Sequence, residues 1–272
     1  MTSAATRSKS VPAPTDGAQL HYDIKGKGDP VLLIMGLGMA STAWWRTVPV
    51  LAKRLRVITF DNRGAGRSEA PRGPYTLEQL ADDAVAVLDA AREEQAHVYG
   101  FSLGGMIAQE LVLRYPARVS KLVLGATTPG GRQHELPGEE TIGFLERRTT
   151  MPIEEAIWAS VPYNYGTKTR VEHADRIGED VAQRLLFPPS TEGYKAQLGA
   201  AWKFDAVDRL AQVSASTLVL HGSEDRMIPV SNGSRLADAL PDARLQILEG
   251  AGHMYPTDAQ EADRAALSFL VG

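Results

Sequence analysis

Six short apolar runs, none of which alternates with polar residues, limit what this chain can fold into. They lie at residues 30–35, 56–61, 96–100, 121–125, 217–222 and 244–248. Runs of this length without alternation are typical of strands that are buried on both faces, as in a parallel sheet. A seventh segment, residues 19–24, alternates apolar and polar residues in the manner of a strand.

Segments with helical periodicity separate these runs. Thr76 and Gln79 form a capping box, and apolar residues recur at helical spacing behind them. A second helix is predicted at residues 103–115, where Pro116 would end it. Strand, helix and strand in this order imply right-handed crossover connections. We therefore predict an α/β fold with a mostly parallel twisted sheet that is flanked by helices.

The alternation of strands and helices is interrupted once. Residues 129–213 contain no run typical of a strand, and their periodicity predicts helices at 153–160, 171–186 and 193–210. We therefore predict a helical cap at 129–213, inserted into a core formed by 16–128 and 214–272, with a mobile tail at 1–15. Such insertions usually cover the strand ends where α/β proteins bind ligands. The aromatic residues of the insertion either line a pocket or pack in a small core of their own.

Composition and charge exclude several classes of function. The chain has 29 Lys and Arg against 33 Asp and Glu, so it lacks the basic excess that nucleic-acid binding requires. Without cysteine, it has no thiolate nucleophile and no cysteine-type zinc site. No apolar stretch approaches the ~20 residues of a membrane span, and the first 15 residues lack an apolar secretion segment. We therefore expect a cytoplasmic protein without nucleic-acid or membrane partners, and the oligomeric state stays open.

The motif G-x-S-x-G lies at Gly100–Gly104 and points to nucleophilic catalysis by Ser102. A serine hydroxyl attacks only when a base removes its proton and when it stands clear of the backbone. A sharp turn between a strand and a helix exposes the hydroxyl in this way, and glycines on both sides leave room for the turn. A predicted strand precedes the motif and a predicted helix follows it, which favours this interpretation.

The base and the orienting acid should follow Ser102 on later loops of such a fold. His253 is the only one of six histidines that lies in a glycine-framed loop directly after a predicted strand. Asp225 and Glu224 both follow the run at 217–222, and either could orient the imidazole by charge. We favour Asp225, because a G-x-x-D loop matches the usual placement of the acid. Glu224 remains the alternative.

An oxyanion that forms on the attacked carbonyl needs two hydrogen-bond donors. Leu103 begins the helix after Ser102, so its N–H points towards a group bound there. Leu37 is flanked by Gly36 and Gly38 in the loop after the first apolar run, where the backbone can turn an N–H inward. The turn-rich segment 61–68 is interpreted as a loop that braces the site.

These residues resemble the α/β-hydrolase superfamily over nearly the whole chain. The pattern is similar to that of small bacterial ester and lactone hydrolases, including enol-lactone hydrolases and the cofactor-free haloperoxidase or perhydrolase group. The resemblance implies Ser102 as nucleophile, His253 as general acid and base, and Asp225 as orienting acid, with oxyanion donors at Leu37 and Leu103. Met35 stands where many members have histidine, which leaves a backbone oxyanion hole intact but weakens any subfamily assignment that rests on that histidine.

The resemblance implies a serine hydrolase that cleaves a carboxylic ester or lactone through an acyl-enzyme. A small to medium, partly apolar substrate is expected as its partner, with no cofactor and no metal. Two alternatives use the same triad, namely a cofactor-free perhydrolase or haloperoxidase and a carbon–carbon bond hydrolase. A third belongs to another class: a small-molecule receptor that retains the triad. Carboxylate-nucleophile relatives, such as dehalogenases and epoxide hydrolases, are excluded by Ser102.

Overall fold

An eight-stranded sheet forms the centre of the molecule in a computed structural model, which describes residues 9–132 and 134–272. The spatial order is β1-β2-β4-β3-β5-β6-β7-β8. β1 and β2 are antiparallel to their neighbours, and β3 to β8 are parallel to one another. The predicted fold class is therefore confirmed. The strands are Lys9–Pro12 (β1), Gln19–Gly26 (β2), Pro30–Ile34 (β3), Arg56–Phe60 (β4), Ala96–Phe101 (β5), Val119–Gly125 (β6), Ser216–Gly222 (β7) and Ala243–Leu248 (β8).

The register of the parallel strands brings several loops to one edge of the sheet. Ile34 at the end of β3 lies beside Gly100 in β5. Phe101 at the end of β5 lies beside Gly125, the last residue of β6, which in turn lies beside Leu220 in β7. Because these strands end side by side, the loops that follow them can place side chains in one small space.

Helices cover both faces of the sheet and complete two apolar layers. On one face, Leu80 and Leu111 pack with the sheet in one cluster, and on the other Leu51 and Leu270 belong to a second. This explains why the central strands are apolar on both sides. The described α-helices outside the β6–β7 connection are Thr47–Leu51 (α1), Leu77–Ala91 (α2), Leu103–Arg114 (α3), Ser231–Ala239 (α10), Tyr255–Asp258 (α11) and Glu261–Val271 (α12), and 3-10 turns lie at Ser41–Trp44 and Pro116–Arg118.

The connection between β6 and β7 contributes no strand to the sheet in its described residues; we call residues 129–213 the cap. The predicted helix 171–186 is two helices that meet at His173, and the predicted helix 193–210 ends at Ala201. A short 3-10 helix, Val207–Gln212, follows. The cap helices are Glu139–Arg147 (α4), Ile153–Ala159 (α5), Val161–Asn164 (α6), Thr167–Glu172 (α7), Ala174–Leu186 (α8) and Thr191–Ala201 (α9), with a 3-10 turn at Arg148–Thr150.

The second half of the segment predicted as a mobile tail, residues 1–15, is in contact with the rest of the fold. Residues 1–8 lie outside the described residues, but Lys9–Pro12 pairs with β2 as an edge strand. The Arg63 guanidinium also donates hydrogen bonds to Thr15 and Asp16. A four-residue edge strand that contains proline gives no apolar pattern, so the sequence did not reveal it. In the part of the chain that the structure describes, no helix is long and apolar enough to cross a membrane.

Candidate active site

Ser102 occupies a strained turn between β5 and α3. Its backbone has φ 56° and ψ −121°, a conformation that costs a non-glycine residue about 1–3 kcal/mol. The flanking glycines make the turn possible, because a Cβ at Gly100 would collide with the carbonyl oxygen of Gly104, and a Cβ at Gly104 would collide with that of Ile34. The spacing G-x-S-x-G is therefore a steric requirement of this turn.

Hydrogen bonds fix the backbone of Ser102. Its N–H donates to the Gly125 carbonyl at 2.8 Å, and its carbonyl accepts from the Gly105 N–H at 2.9 Å and from the Thr127 hydroxyl at 2.8 Å. The hydroxyl is thereby held at the edge of the sheet where the loops converge.

His253 lies between Ser102 and Asp225 in an unbroken chain of hydrogen bonds. Its Nε2 is 3.0 Å from the Ser102 Oγ, and its Nδ1 is 2.8 Å from the Asp225 Oδ2. All three side chains are buried. An ionised Asp225 accepts from Nδ1–H, which leaves Nε2 free to accept the serine proton. Three side chains that are far apart in sequence are thus joined by hydrogen bonds, in an arrangement that can supply a nucleophile, a base and an orienting acid.

The Asp225 carboxylate is held in its charged form. Burial alone would raise the pKa of Asp225, but attraction to His253 and hydrogen bonds from His221 and His253 lower that pKa to about 2. Oδ1 accepts from the N–H groups of Met227 and Ile228, each at 2.9 Å. Oδ2 also lies 3.4 Å from Nε2 of the buried His221. Asp225 therefore stays ionised and oriented towards the imidazole.

Glu224, the alternative orienting acid, points elsewhere. Its Oε2 accepts hydrogen bonds from the N–H and the hydroxyl of Thr167, both at 2.7 Å. These bonds lower the pKa of Glu224 and attach the loop after β7 to the start of α7 in the cap. The side chain is exposed. The geometry thus separates the two neighbouring carboxylates into different places.

Leu37 and Leu103 line the same cavity as Ser102 and His253. Leu103 is the first residue of α3, and N–H groups in the first turn of a helix have no intrahelical acceptor. The loop that contains Leu37 packs directly on the nucleophile, since a Cβ at Gly36 would lie 3.0 Å from the Ser102 Cβ. Both backbone positions thus border the space in front of Ser102.

Gln197, on cap helix α9, fixes the loop of Leu37 from above. Its Oε1 accepts from the Gly38 N–H at 2.8 Å, and its Nε2 donates to the Arg63 carbonyl at 2.7 Å. The residue is completely buried. Sequence patterns did not predict this contact, because a glutamine in a helix pattern is ordinarily a surface residue.

The loop at residues 61–68 braces the site without lining its cavity. Asp61 accepts hydrogen bonds from the N–H groups of Ser41 and Arg67, and the Asn62 amide donates to the Met35 carbonyl at 2.9 Å. Arg63 is completely buried and forms a two-pronged ion pair with Asp83, at 2.5 and 2.6 Å. These contacts tie the loop of Leu37 to the sheet.

A cavity of about 250 Å³ opens in front of Ser102, between the strand ends and the cap. Besides the predicted residues, its walls include two arginines and a histidine that sequence reasoning did not single out for the site. The apolar part of the wall includes Met39, Met106, Leu198, Trp202 and Phe204, and the polar part includes His134, Arg148, Asn164 and Arg184.

Comparisons with known proteins place this chain among related sequences and structures. A family model described as alpha/beta hydrolase fold matches residues 29–147. A protein from Variovorax paradoxus (strain S110), provisionally named carbamate hydrolase RutD, is 34% identical over 260 residues, which are 92% of this chain and 96% of that one. A protein from Mycobacterium tuberculosis (strain H37Rv), provisionally named non-heme bromoperoxidase BpoC, is 32% identical over 91% of this chain and 95% of its own. The solved enol-lactonase from Burkholderia xenovorans LB400 is 25% identical, with a TM-score of 0.85 and coverage of 97% and 100%.

Proposed function

The chain belongs to the α/β-hydrolase family, and on that premise we propose that this enzyme is a serine hydrolase that cleaves a carboxylic ester or lactone through an acyl-enzyme. The observation that carries the proposal is the buried hydrogen-bond chain from Asp225 through His253 to Ser102. This arrangement supplies what a serine needs for attack on a carbonyl, namely a base in contact and a carboxylate that orients the base.

In the first half of the proposed reaction, the Ser102 Oγ attacks the carbonyl carbon while His253 Nε2 takes the hydroxyl proton. The imidazolium that forms is stabilised by Asp225, whose low pKa keeps it ionised. The developing oxyanion accepts from the N–H groups of Leu37 and Leu103. Each such donor contributes about 2.7–4 kcal/mol to transition-state stabilisation. Nε2–H then protonates the leaving oxygen, and the acyl group remains on Ser102.

In the second half, water attacks the acyl carbon while His253 takes one of its protons. The same oxyanion donors stabilise the second tetrahedral intermediate. As that intermediate collapses, the Ser102 oxygen leaves and receives the proton from Nε2, and the carboxylic acid is released. In a lactone, the alcohol and the acid stay in one molecule, so ring opening follows the same steps.

The substrate is proposed to be small or medium in size and partly apolar. A cavity of about 250 Å³ whose walls include Met39, Met106, Leu198 and Phe204 supports this size and polarity. Similarity to an enol-lactonase supports the ester or lactone class, and the relative named as a carbamate hydrolase suggests that a carbamate is worth testing.

Perhydrolysis is a second candidate, because a relative that is 32% identical is provisionally named a bromoperoxidase. In that reaction hydrogen peroxide replaces water, so the acyl-enzyme yields a peracid and Ser102 is regenerated. The two activities share the acyl-enzyme and differ only in the attacking molecule. Measuring peracid formation against acid formation from one ester, with and without peroxide, separates them.

The test is turnover of p-nitrophenyl esters by the wild-type chain and by Ser102→Ala. We expect multiple turnovers by wild type and a loss of about 10,000-fold or more in kcat for the variant. Circular dichroism serves as the control for folding. Tight ligand binding with no more than one turnover per chain would favour a receptor and would reject the proposed hydrolase.

A further inference from the structure

Two buried arginines face the cavity from the cap. Arg148 lies in the 3-10 turn Arg148–Thr150 and is 9% exposed, and Arg184 lies in α8 and is 8% exposed. Both line the cavity that contains Ser102 and His253. No aspartate or glutamate is among the described residues that line this cavity. The space in front of the nucleophile is therefore positively charged, although the chain as a whole carries a formal charge of −4.

Neither guanidinium forms an ion pair with a carboxylate in residues 9–132 or 134–272. Arg184 Nη1 donates to the Ser160 hydroxyl at 3.2 Å, and the Arg148 guanidinium lies 4.6 Å from the centre of the Tyr194 ring. Asp180, one turn before Arg184 on α8, is hydrogen-bonded to other side chains. Its oxygens accept from Trp45, Arg46, Tyr165 and Thr257.

This arrangement differs from that of Arg63, the third buried arginine among the described residues. Arg63 is completely buried but is matched by Asp83 and Asp16. Burying a guanidinium without a carboxylate is costly, and here burial lowers the pKa of Arg184, an effect that Tyr165 opposes and the neighbouring Arg148 reinforces. An anion that enters the cavity would offset that cost.

We propose that Arg148 and Arg184 bind a carboxylate of the substrate, so that the preferred ester or lactone carries a separate anionic group. This inference rests on the proposed hydrolase function and specifies its substrate class. The flat guanidinium fork matches the two oxygens of a carboxylate. A carboxylate also suits the largely apolar remainder of the wall, which has few further donors for the additional oxygens of a phosphate.

The two arginines are anchored to the loops that hold the reacting groups. Arg184 and the Asn164 amide both donate to the Ser160 hydroxyl, and the Asn164 carbonyl accepts from the N–H of Met254, the residue after His253. The anionic site is thereby fixed relative to the imidazole.

The ring of Tyr194, on which Arg148 lies, packs against the loop of Leu37. A Cβ at Gly38 would lie 2.7 Å from the Tyr194 Cδ2. A carboxylate held by both arginines would thus have a defined distance from the Ser102 hydroxyl, which would favour one length of substrate over others.

The first experiment compares matched substrates on the wild-type chain. Mono-p-nitrophenyl glutarate and p-nitrophenyl pentanoate have the same acyl length and differ by the terminal carboxylate. A second pair, 4-carboxyphenyl pentanoate and phenyl pentanoate, places the charge on the leaving group. We expect kcat/KM to favour the charged ester of at least one pair by roughly 10- to 100-fold. Equal values or a preference for the neutral ester in both pairs would overturn the inference.

The second experiment removes the charge from the cap. Arg148→Gln and Arg184→Gln should each lower the ratio of kcat/KM between the charged ester and p-nitrophenyl pentanoate by roughly 10-fold or more, since hydrogen bonds to charged groups carry the difference. Arg184→Lys should keep part of the preference. Arg264→Gln, at an exposed position on α12, is the matched control and should change neither value. Loss of the preference in Arg264→Gln as well would contradict the assignment.

A binding measurement keeps the inference separate from the proposed function. Calorimetry with glutarate and the Ser102→Ala chain should show binding that Arg184→Gln weakens by roughly 10-fold or more. If no ester is turned over but glutarate binds in this manner, the hydrolase proposal fails and the anionic site stands. If neutral esters are turned over but glutarate binds equally well to both chains, the anionic site fails and the hydrolase stands.

Discussion

The two walls of the cavity are built in different ways. On the sheet side, Ser102, Asp225 and His253 each follow a strand directly or within a few residues, and they bond to one another and to groups at the strand ends. On the cap side, Arg148 and Arg184 project from helical segments and have no carboxylate partner among the described residues. The polar groups of the sheet wall are therefore hydrogen-bonded within that wall, whereas the cap wall carries two guanidinium groups without a carboxylate partner among the described residues.

This difference suggests that the sheet wall serves the chemical step and that the cap wall serves substrate selection. In the proposed reaction, groups on the sheet wall act on the carbonyl that every ester shares, so their removal should lower kcat for all substrates. In the proposed substrate complex, groups on the cap wall contact the variable part of the substrate, so their removal should change the ratio of kcat/KM between substrates. Gln197 is placed to affect both walls, because it joins α9 to the loop of Leu37.

The largest effect should come from the orienting acid on the sheet wall. Asp225→Asn should lower kcat by about 10,000-fold for charged and neutral esters alike, because the amide would favour the wrong tautomer of His253. Steady-state kinetics on both esters tests this.

The neighbouring carboxylate provides the matched control. Glu224→Gln removes an exposed charge one residue away whose carboxylate accepts hydrogen bonds from Thr167, so kcat should stay within about twofold, as for other surface changes. If Glu224→Gln were the more damaging of the two, the assignment of the acid would have to be reversed.

The next effect is expected at the junction of the two walls. Gln197→Met would leave the Gly38 N–H and the Arg63 carbonyl without partners in a buried place. The free energy of unfolding should fall by about 2–4 kcal/mol, measured by urea denaturation. Gln212→Met, at an exposed cap position, should leave it unchanged. A Gln197→Met chain with wild-type stability and wild-type kcat would show that α9 does not hold the oxyanion loop.

A smaller effect concerns pH. The folded pKa of Asp225 is about 2, below the ordinary value of 3.8, so its contribution to stability is complete above pH 4 and is lost as the pH falls to 2. That contribution is about 2 kcal/mol. Urea denaturation between pH 5 and pH 2 should therefore show a steeper acid loss for wild type than for Asp225→Asn. Parallel curves would mean that the carboxylate gains nothing from its contacts in the folded chain.

The smallest effect is expected on the cap surface. Trp202 and Trp158 are 49% and 46% exposed, but only Trp202 lines the cavity. Trp202→Ala should raise KM for p-nitrophenyl pentanoate roughly fivefold through lost apolar contact, whereas Trp158→Ala should not change it. Equal behaviour of the two variants would remove Trp202 from the substrate site.

The sheet wall was largely predictable from sequence, because its signals are local. An unbroken apolar run indicates a buried strand, and G-x-S-x-G reports a turn that only glycines allow. The observed β5 and α3 begin and end within one residue of the prediction. His253 and Asp225 could be selected by their position after strands, and the structure places His253 in contact with both Ser102 and Asp225.

The cap was less predictable, because its features depend on tertiary contacts. The break between α7 and α8 lies at His173, and no glycine or proline at that point indicates the end of a helix. Arg184 lies on an amphipathic helix where arginine is ordinarily exposed, and only the packing of Tyr165 and Ser160 around it buries the guanidinium. The cytoplasmic location and the lack of a cofactor stay predictions.

The most direct test of the central claim is the intact mass of the chain after treatment with p-nitrophenyl dimethylcarbamate. In this reaction Ser102 Oγ would bond to the carbamoyl carbon and p-nitrophenolate would leave, giving a carbamoyl-enzyme that water hydrolyses slowly. The account predicts one dimethylcarbamoyl group per chain, located on the peptide that contains Ser102, and none on Ser102→Ala. Ester turnover without modification of Ser102, or the same modification in Ser102→Ala, would contradict it.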